Sequence, residues 1–159
     1  RVIVRADSFD GNFVIPQLYL QTGPAWEPFG FGCAGAAGVP DLALVAPPRI
    51  GNTFRLGLSN MPPSGGFFIV TMGSSTTTSA AGPLPASLDF LGAPGCILFV
   101  EILGYSVQSH TNGTGTFSYA IPNNPAAIGI QVANQAFVTD ATANSAGIIA
   151  SNAGVGVVR

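Results

Sequence analysis

The chain has 159 residues, 47% of them hydrophobic and only 8% charged, with 21 Gly and 13 Pro. That length suits one domain, which buries roughly 70% of the surface its unfolded chain exposes, so no cofactor or metal is needed to fold it; the composition is the reverse of a disordered chain's. A formal net charge of −2, no Lys and five dispersed Arg (Arg1, Arg5, Arg49, Arg55, Arg159) argue against nucleic acid or an anionic membrane surface as a partner.

No apolar run approaches the about 18 residues a membrane helix needs, so no membrane insertion is expected. The chain opens on Arg1 rather than Met, which suits a processed form or a fragment, so the lack of a secretion signal is uninformative.

In chain order, residues 1–5 are a short β-type segment, followed by a candidate strand at Phe13–Leu20 and others at 42–46, Thr53–Ser59 and 67–72. Thr53–Ser59 alternates cleanly, with Phe54, Leu56 and Leu58 on one face. Residues 74–87, rich in Ser, Thr and Ala, read as a long surface loop. Further strands are expected at 96–103, 115–121 (Phe117, Tyr119 and Ile121 on one face), 128–137 and 147–151, and a last β-type segment closes the chain at 154–159.

Punctuation is strong at Pro47-Pro48, residues 61–66, Asn112-Gly113 and residues 122–125, where Pro fixes φ and Gly or Asn tolerates positive φ. Helical periodicity is almost absent. Eight or more short strands at this spacing predict an all-β fold, an antiparallel β-sandwich of jelly-roll or Ig-like type.

Cys33 and Cys96 are the only cysteines and lie in similar small-residue contexts. Neither belongs to a Cys-x-x-Cys pair, so they are read as one disulfide, with two buried free thiols as the alternative. A disulfide places the chain in an oxidising compartment, here extracellular or at the cell surface.

From about Ala25 onward the chain carries an ordered set of turn and small-residue blocks. It comprises residues 29–40 (Phe-Gly-Phe-Gly-Cys-Ala-Gly-Ala-Ala-Gly-Val-Pro), residues 48–54, Leu58-Ser59-Asn60-Met61-Pro62-Pro63, residues 91–96, residues 121–125, Gln135-Ala136, Asp140, Ala143-Asn144, Gly147 and Ser151-Asn152. On these residues the chain resembles an uncharacterised two-cysteine β-rich module found near the C-termini of large secreted proteins of environmental bacteria. The resemblance implies a secreted β-rich domain over 25–159 with its cysteines paired, and no activity. Residues 1–24 fall outside it and read as an N-terminal arm or strand extension.

Candidates for chemistry are thin. His110, the single histidine, lies beside a hairpin turn and is expected to be an exposed loop residue; no Gly-x-Ser-x-Gly elbow accompanies it. Glu27 and Glu101 are the only glutamates, poor material for a glycosidase pair. Residues 7–12 (Asp-Ser-Phe-Asp-Gly-Asn) and 140–144 have the oxygen density of a calcium loop but lack its ligand spacing, so no metal site is expected. Asn112-Gly113-Thr114 is a glycosylation sequon that a turn explains equally well. Trp26, with Tyr19, Tyr105, Tyr119, Phe29 and Phe31, is the best candidate for contact with a glycan.

The missing charge is the strongest signal, since a weakly polar surface tends to be covered by partners. The termini carry Val2, Ile3 and Val4 at one end and Val155, Val157 and Val158 at the other, apolar strands with little to discourage edge pairing. Two outcomes are open for them: pairing inside their own sheet, or pairing with a neighbouring subunit. The expectation is a non-enzymatic extracellular protein that polymerises with itself into a filament, pilus-like fibre or surface layer. The alternative is an adhesion or carbohydrate-binding accessory module contacting extracellular glycan.

Overall fold

A computed structural model describes two N-terminal strands, at residues 2–9 and 13–20, and then residues 25–159. Arg1, residues 10–12 and residues 21–24 lie outside the described residues. The fold is all-β and antiparallel, as the alternation and turn spacing predict. Strands β1 (Val2–Phe9) and β2 (Phe13–Leu20) form a two-stranded sheet of their own, with Val2 opposite Leu20 and Phe9 opposite Phe13.

The body contains β3 (Trp26–Phe29), β4 (Asp41–Ala46), β5 (Thr53–Ser59) and β6 (Gly66–Gly73), then the two-residue strands β7 (Thr78–Ser79), β8 (Gly82–Pro83), β9 (Ala86–Ser87) and β10 (Ile97–Leu98). It closes with β11 (Gly104–His110), β12 (Gly115–Ala120), β13 (Gln131–Thr139) and β14 (Ile148–Val157). A five-stranded sheet in the order β11-β6-β13-β14-β3 faces a three-stranded sheet in the order β12-β5-β4.

One core lies between the two sheets. Phe54, Leu56 and Leu58 of β5 point inward with Leu42 and Phe117 to meet Phe68, Val70, Val138 and Ile149 from the larger sheet. Every second residue of β5 is buried, which is the period of two that marks a half-buried strand. Each such side chain contributes roughly 1.5–3 kcal/mol of burial.

The chain crosses between sheets at residues 111–114. Asn112 (φ 57°) and Gly113 (φ 73°) make the tight turn, Thr111 bridges Thr114, and β11 in one sheet becomes β12 in the other. A Cβ at position 113 would lie 2.6 Å from the Met61 carbonyl oxygen, so space as well as φ calls for glycine there.

The Cys33–Cys96 disulfide is formed, with a Cα–Cα distance of 4.9 Å. The Cys33 N–H donates to the Ala150 carbonyl (2.9 Å), which extends the β3 side of the sheet, so the bridge ties the segment before β10 to β14. The bond places the chain in an oxidising compartment.

Of the two outcomes left open, the C-terminal segment takes the first, pairing within the chain, while β1 pairs with β2, which does not decide between them. Val2, Ile3 and Val4 pair with Leu20, Tyr19 and Leu18. Val155 lies between Ala133 of β13 and Glu27 of β3, Val157 between Gln131 and the Ala25 carbonyl, and the Val158 N–H donates to the Ile130 carbonyl. The expectation that Val155, Val157 and Val158 offer a strand to a neighbour is therefore corrected: both sides of β14 are already occupied.

Candidate interaction surface

The outer face of the five-stranded sheet is divided into two unlike halves. Over β13, β14 and β3 it is covered by the chain's own segment leading from β10. Phe99 and Val100 pack there on Ala133 and Ala153, with Phe29, Ile97 and Val155 around them, and the Phe99 ring meets Phe29 and Phe31 edge to face at 6.0 and 5.3 Å.

Gln135, fully buried, fastens this cover. Its Oε1 accepts from the Phe99 N–H (2.9 Å), and its Nε2 donates to the carbonyls of Ile97 (2.8 Å) and Ser151 (3.1 Å).

Over β11 and the first half of β6 the described residues leave the sheet face open, whereas Thr71 is buried and the Glu101 backbone lies against Gly73. Register places Val107, Ile69 and Phe137 in one row and Tyr105 and Thr71 in the next. Phe67, Tyr105 and Val107 are 58%, 67% and 52% exposed, far above what a paired sheet face retains. Ile69, Thr71, Ile102, Tyr105, Phe137 and Ile148 line a depression of about 360 Å³ without a charged side chain among them. β11 is also the edge strand of this sheet, and Gly104–His110 holds no Pro, Lys, Arg, Asp or Glu to deter another strand. The bare half-face and the open edge are one continuous surface, because β11 belongs to both.

The other sequence candidates are placed differently from their expected roles. Trp26 is only 4% exposed: its indole lies against Gly154 of β14, where any Cβ would overlap the ring. This corrects the glycan-contact expectation, since a buried ring presents no face to a sugar. His110 is likewise 4% exposed rather than an exposed loop residue, because it ends β11 with its ring tilted against Phe68 at 6.3 Å. Neither imidazole nitrogen has a hydrogen-bond partner among the described residues, and burial holds its pKa below the ordinary value.

Asp140 is buried, and its carboxylate accepts from the Ala36 N–H (2.7 Å) and from the Thr142 N–H and Oγ1 (3.1 and 2.7 Å). The Ala36 bond first, then the Thr142 hydroxyl, lowers its pKa against the opposing effect of burial. The Asn144 amide is used in both directions by Ile148. Residues 140–144 thus brace the loop after Cys33, and their oxygens already serve protein donors. Among the described residues no group of three His, Cys, Asp or Glu is placed to hold a metal ion.

Glu27 is exposed on β3, and Glu101 accepts a hydrogen bond from Ser74. Asn112 is exposed at its turn. Of the 7–12 segment, Asp7 lies in β1 and Asp10-Gly11-Asn12 fall outside the described residues. No helix among the described residues is long and apolar enough to cross a membrane.

Sequence reasoning missed β11 because its polarity is inverted. Tyr105 and Val107 point outward and are exposed, whereas Ser106 and Gln108 are half-buried on the core side. The signal that was available is the period of two itself, read without assuming that the apolar set faces inward.

No family model, no curated protein and no solved structure matches the chain.

Proposed function

We infer that this chain is a non-catalytic, secreted structural protein, an example of the two-cysteine module it resembles, whose copies assemble through strand edges into a filament, fibre or surface layer. The observation that carries this reading is the bare apolar half-face running into the uncharged open edge of β11. The natural donor is the hairpin β1–β2, whose two strands pair with each other. An isolated two-stranded hairpin is marginal in water and gains stability from a third strand. β11, seven residues long against eight in β1 and in β2, offers a strand of matching length. Donation to the next copy is a head-to-tail contact, which propagates as an open polymer when the rotation does not close.

Electron microscopy of the full chain beside its light-scattering mass tests this. Regular fibres or sheets with a 16.1 kDa repeat are expected. Deletion of residues 1–24, and separately Val107→Lys on the β11 edge, should each leave folded monomers at the same concentration. A clean monomer of the intact chain at high concentration overturns the reading.

A further inference from the structure

Every basic residue after position 25 other than His110, namely Arg49, Arg55 and Arg159, lies at one end of the sandwich. Arg49 and Arg55 line a cleft of about 450 Å³ with Ala46, Pro47, Asn52 and Thr53. An adjoining cleft of about 240 Å³ shares Arg49 and Asn52 and adds Ile50 and Arg159. None of these lining residues is acidic. Arg49 and Arg55 are exposed, and neither has an ion pair or a side-chain hydrogen bond among the described residues.

The backbone beneath them is fixed. The Arg159 N–H donates to the Pro48 carbonyl, the Ile50 N–H to the Arg159 carbonyl, the Asn52 N–H to the Arg49 carbonyl, and the Gly51 N–H to the Ile121 carbonyl. Arg55 stands on β5 between Ala46 and Ser118, so its strand is paired on both sides.

A chain with so few charges has set Arg49 and Arg55 beside one cleft on rigid backbone, with no acidic side chain among the residues lining it. Guanidinium groups so placed repel one another unless an anion lies between them, and their planar forks match carboxylate and sulfate oxygens two at a time. We propose that the Arg49–Arg55 cleft is a binding site for an oxyanion, a carboxylate or sulfate carried on an extracellular polyanionic polymer. The site is separate from the β11 surface and does not depend on self-assembly.

The test is titration of the full chain at low ionic strength with three probes: an oligogalacturonate, inorganic sulfate and a neutral oligosaccharide of equal length. The oligogalacturonate is expected to bind, with affinity falling as salt rises, and the neutral sugar is not. Arg49→Ala with Arg55→Ala should weaken binding by about tenfold or more while leaving the thermal midpoint unchanged, since both side chains are exposed and unpartnered. Binding of the oligomer well beyond that of sulfate supports a polymeric ligand, and equal binding of the two supports a free anion at the same oxyanion site. Equal affinity in the wild type and the double variant, or no binding of either anion, overturns the proposal.

Discussion

Gln135→Leu removes the side chain that holds the segment following β10 on the sheet, while keeping nearly the same volume. Three backbone groups lose their partner: the Phe99 N–H and the carbonyls of Ile97 and Ser151. A buried group left without a partner costs about 1–3 kcal/mol, the N–H most and each carbonyl toward the lower end. The larger apolar area of Leu returns about 1 kcal/mol. The net loss is therefore roughly 3 kcal/mol, or about 6–12 °C in the thermal midpoint for a chain of this size.

Calorimetry of wild type and variant gives the midpoint, and amide hydrogen exchange at Phe99 shows whether the cover has come loose. A shift below about 2 °C with the Phe99 amide still protected would refute the reasoning. Gln135 would then be a space-filler, which an apolar residue of similar size replaces at little cost.

The other predictions probe different supports of the fold. Gly154→Ala places a Cβ against the Trp26 ring and should cost about 1–3 kcal/mol, seen as a lower denaturant midpoint and a red-shifted emission from the chain's single Trp. Reducing Cys33–Cys96, or replacing both by Ala, releases a loop of 63 residues' separation. It should cost about 4 kcal/mol by chain entropy, measured as the change in urea midpoint with and without reductant. Because burial lowers the His110 pKa from 6.5, the unfolded chain takes up the proton first as pH falls. The His110 contribution to stability is therefore complete above pH 6.5 and declines as pH drops below it, until the folded imidazole also titrates. His110→Phe should flatten that part of the stability–pH curve, and an unchanged slope between pH 7 and about 5 would show that His110 does not control it.

Much of the sandwich is legible in the sequence where one face of a strand meets the core and the other meets solvent. Thr53–Ser59 is such a strand, and its predicted bounds match the structure. The strands around it are also anticipated, with ends shifted by a few residues: β13 begins at Gln131 rather than at 128 and runs on to Thr139. Legibility fails where a partner other than a strand takes the backbone hydrogen bonds. Residues 96–103 have a strand's composition, yet only Ile97–Leu98 pair as one, because the Gln135 side chain takes the Ile97 carbonyl and the Phe99 N–H while the Glu101 and Leu103 N–H groups make single bonds to the Ser75 and Met72 carbonyls. It fails again where packing reverses the ordinary reading of a residue. Trp26 is expected at a surface because tryptophan often marks binding faces, but Gly154 leaves a gap the size of an indole, and the ring fills it. A lone glycine inside a strand records such a close approach without naming what approaches.

Low charge by itself does not distinguish an evenly dull surface from one with a concentrated apolar area, and the two have different consequences. Scattered exposed apolar residues are normal on soluble proteins, whereas a contiguous patch implies a partner. Here the smaller sheet shows Thr53, Arg55, Thr116 and Ser118 on exposed positions, together with Leu44, Val45 and Tyr119. The larger sheet spends the segment from Phe99 onward covering half of its outer face and leaves Phe67, Tyr105 and Val107 bare on the other half. Exposed apolar side chains also occur elsewhere, Val45 and Phe90 among them, but at β11 they adjoin an edge strand with no charge to guard it. That meeting of apolar face and uncharged edge, rather than the count of charged residues, is the physical argument for contact at β11.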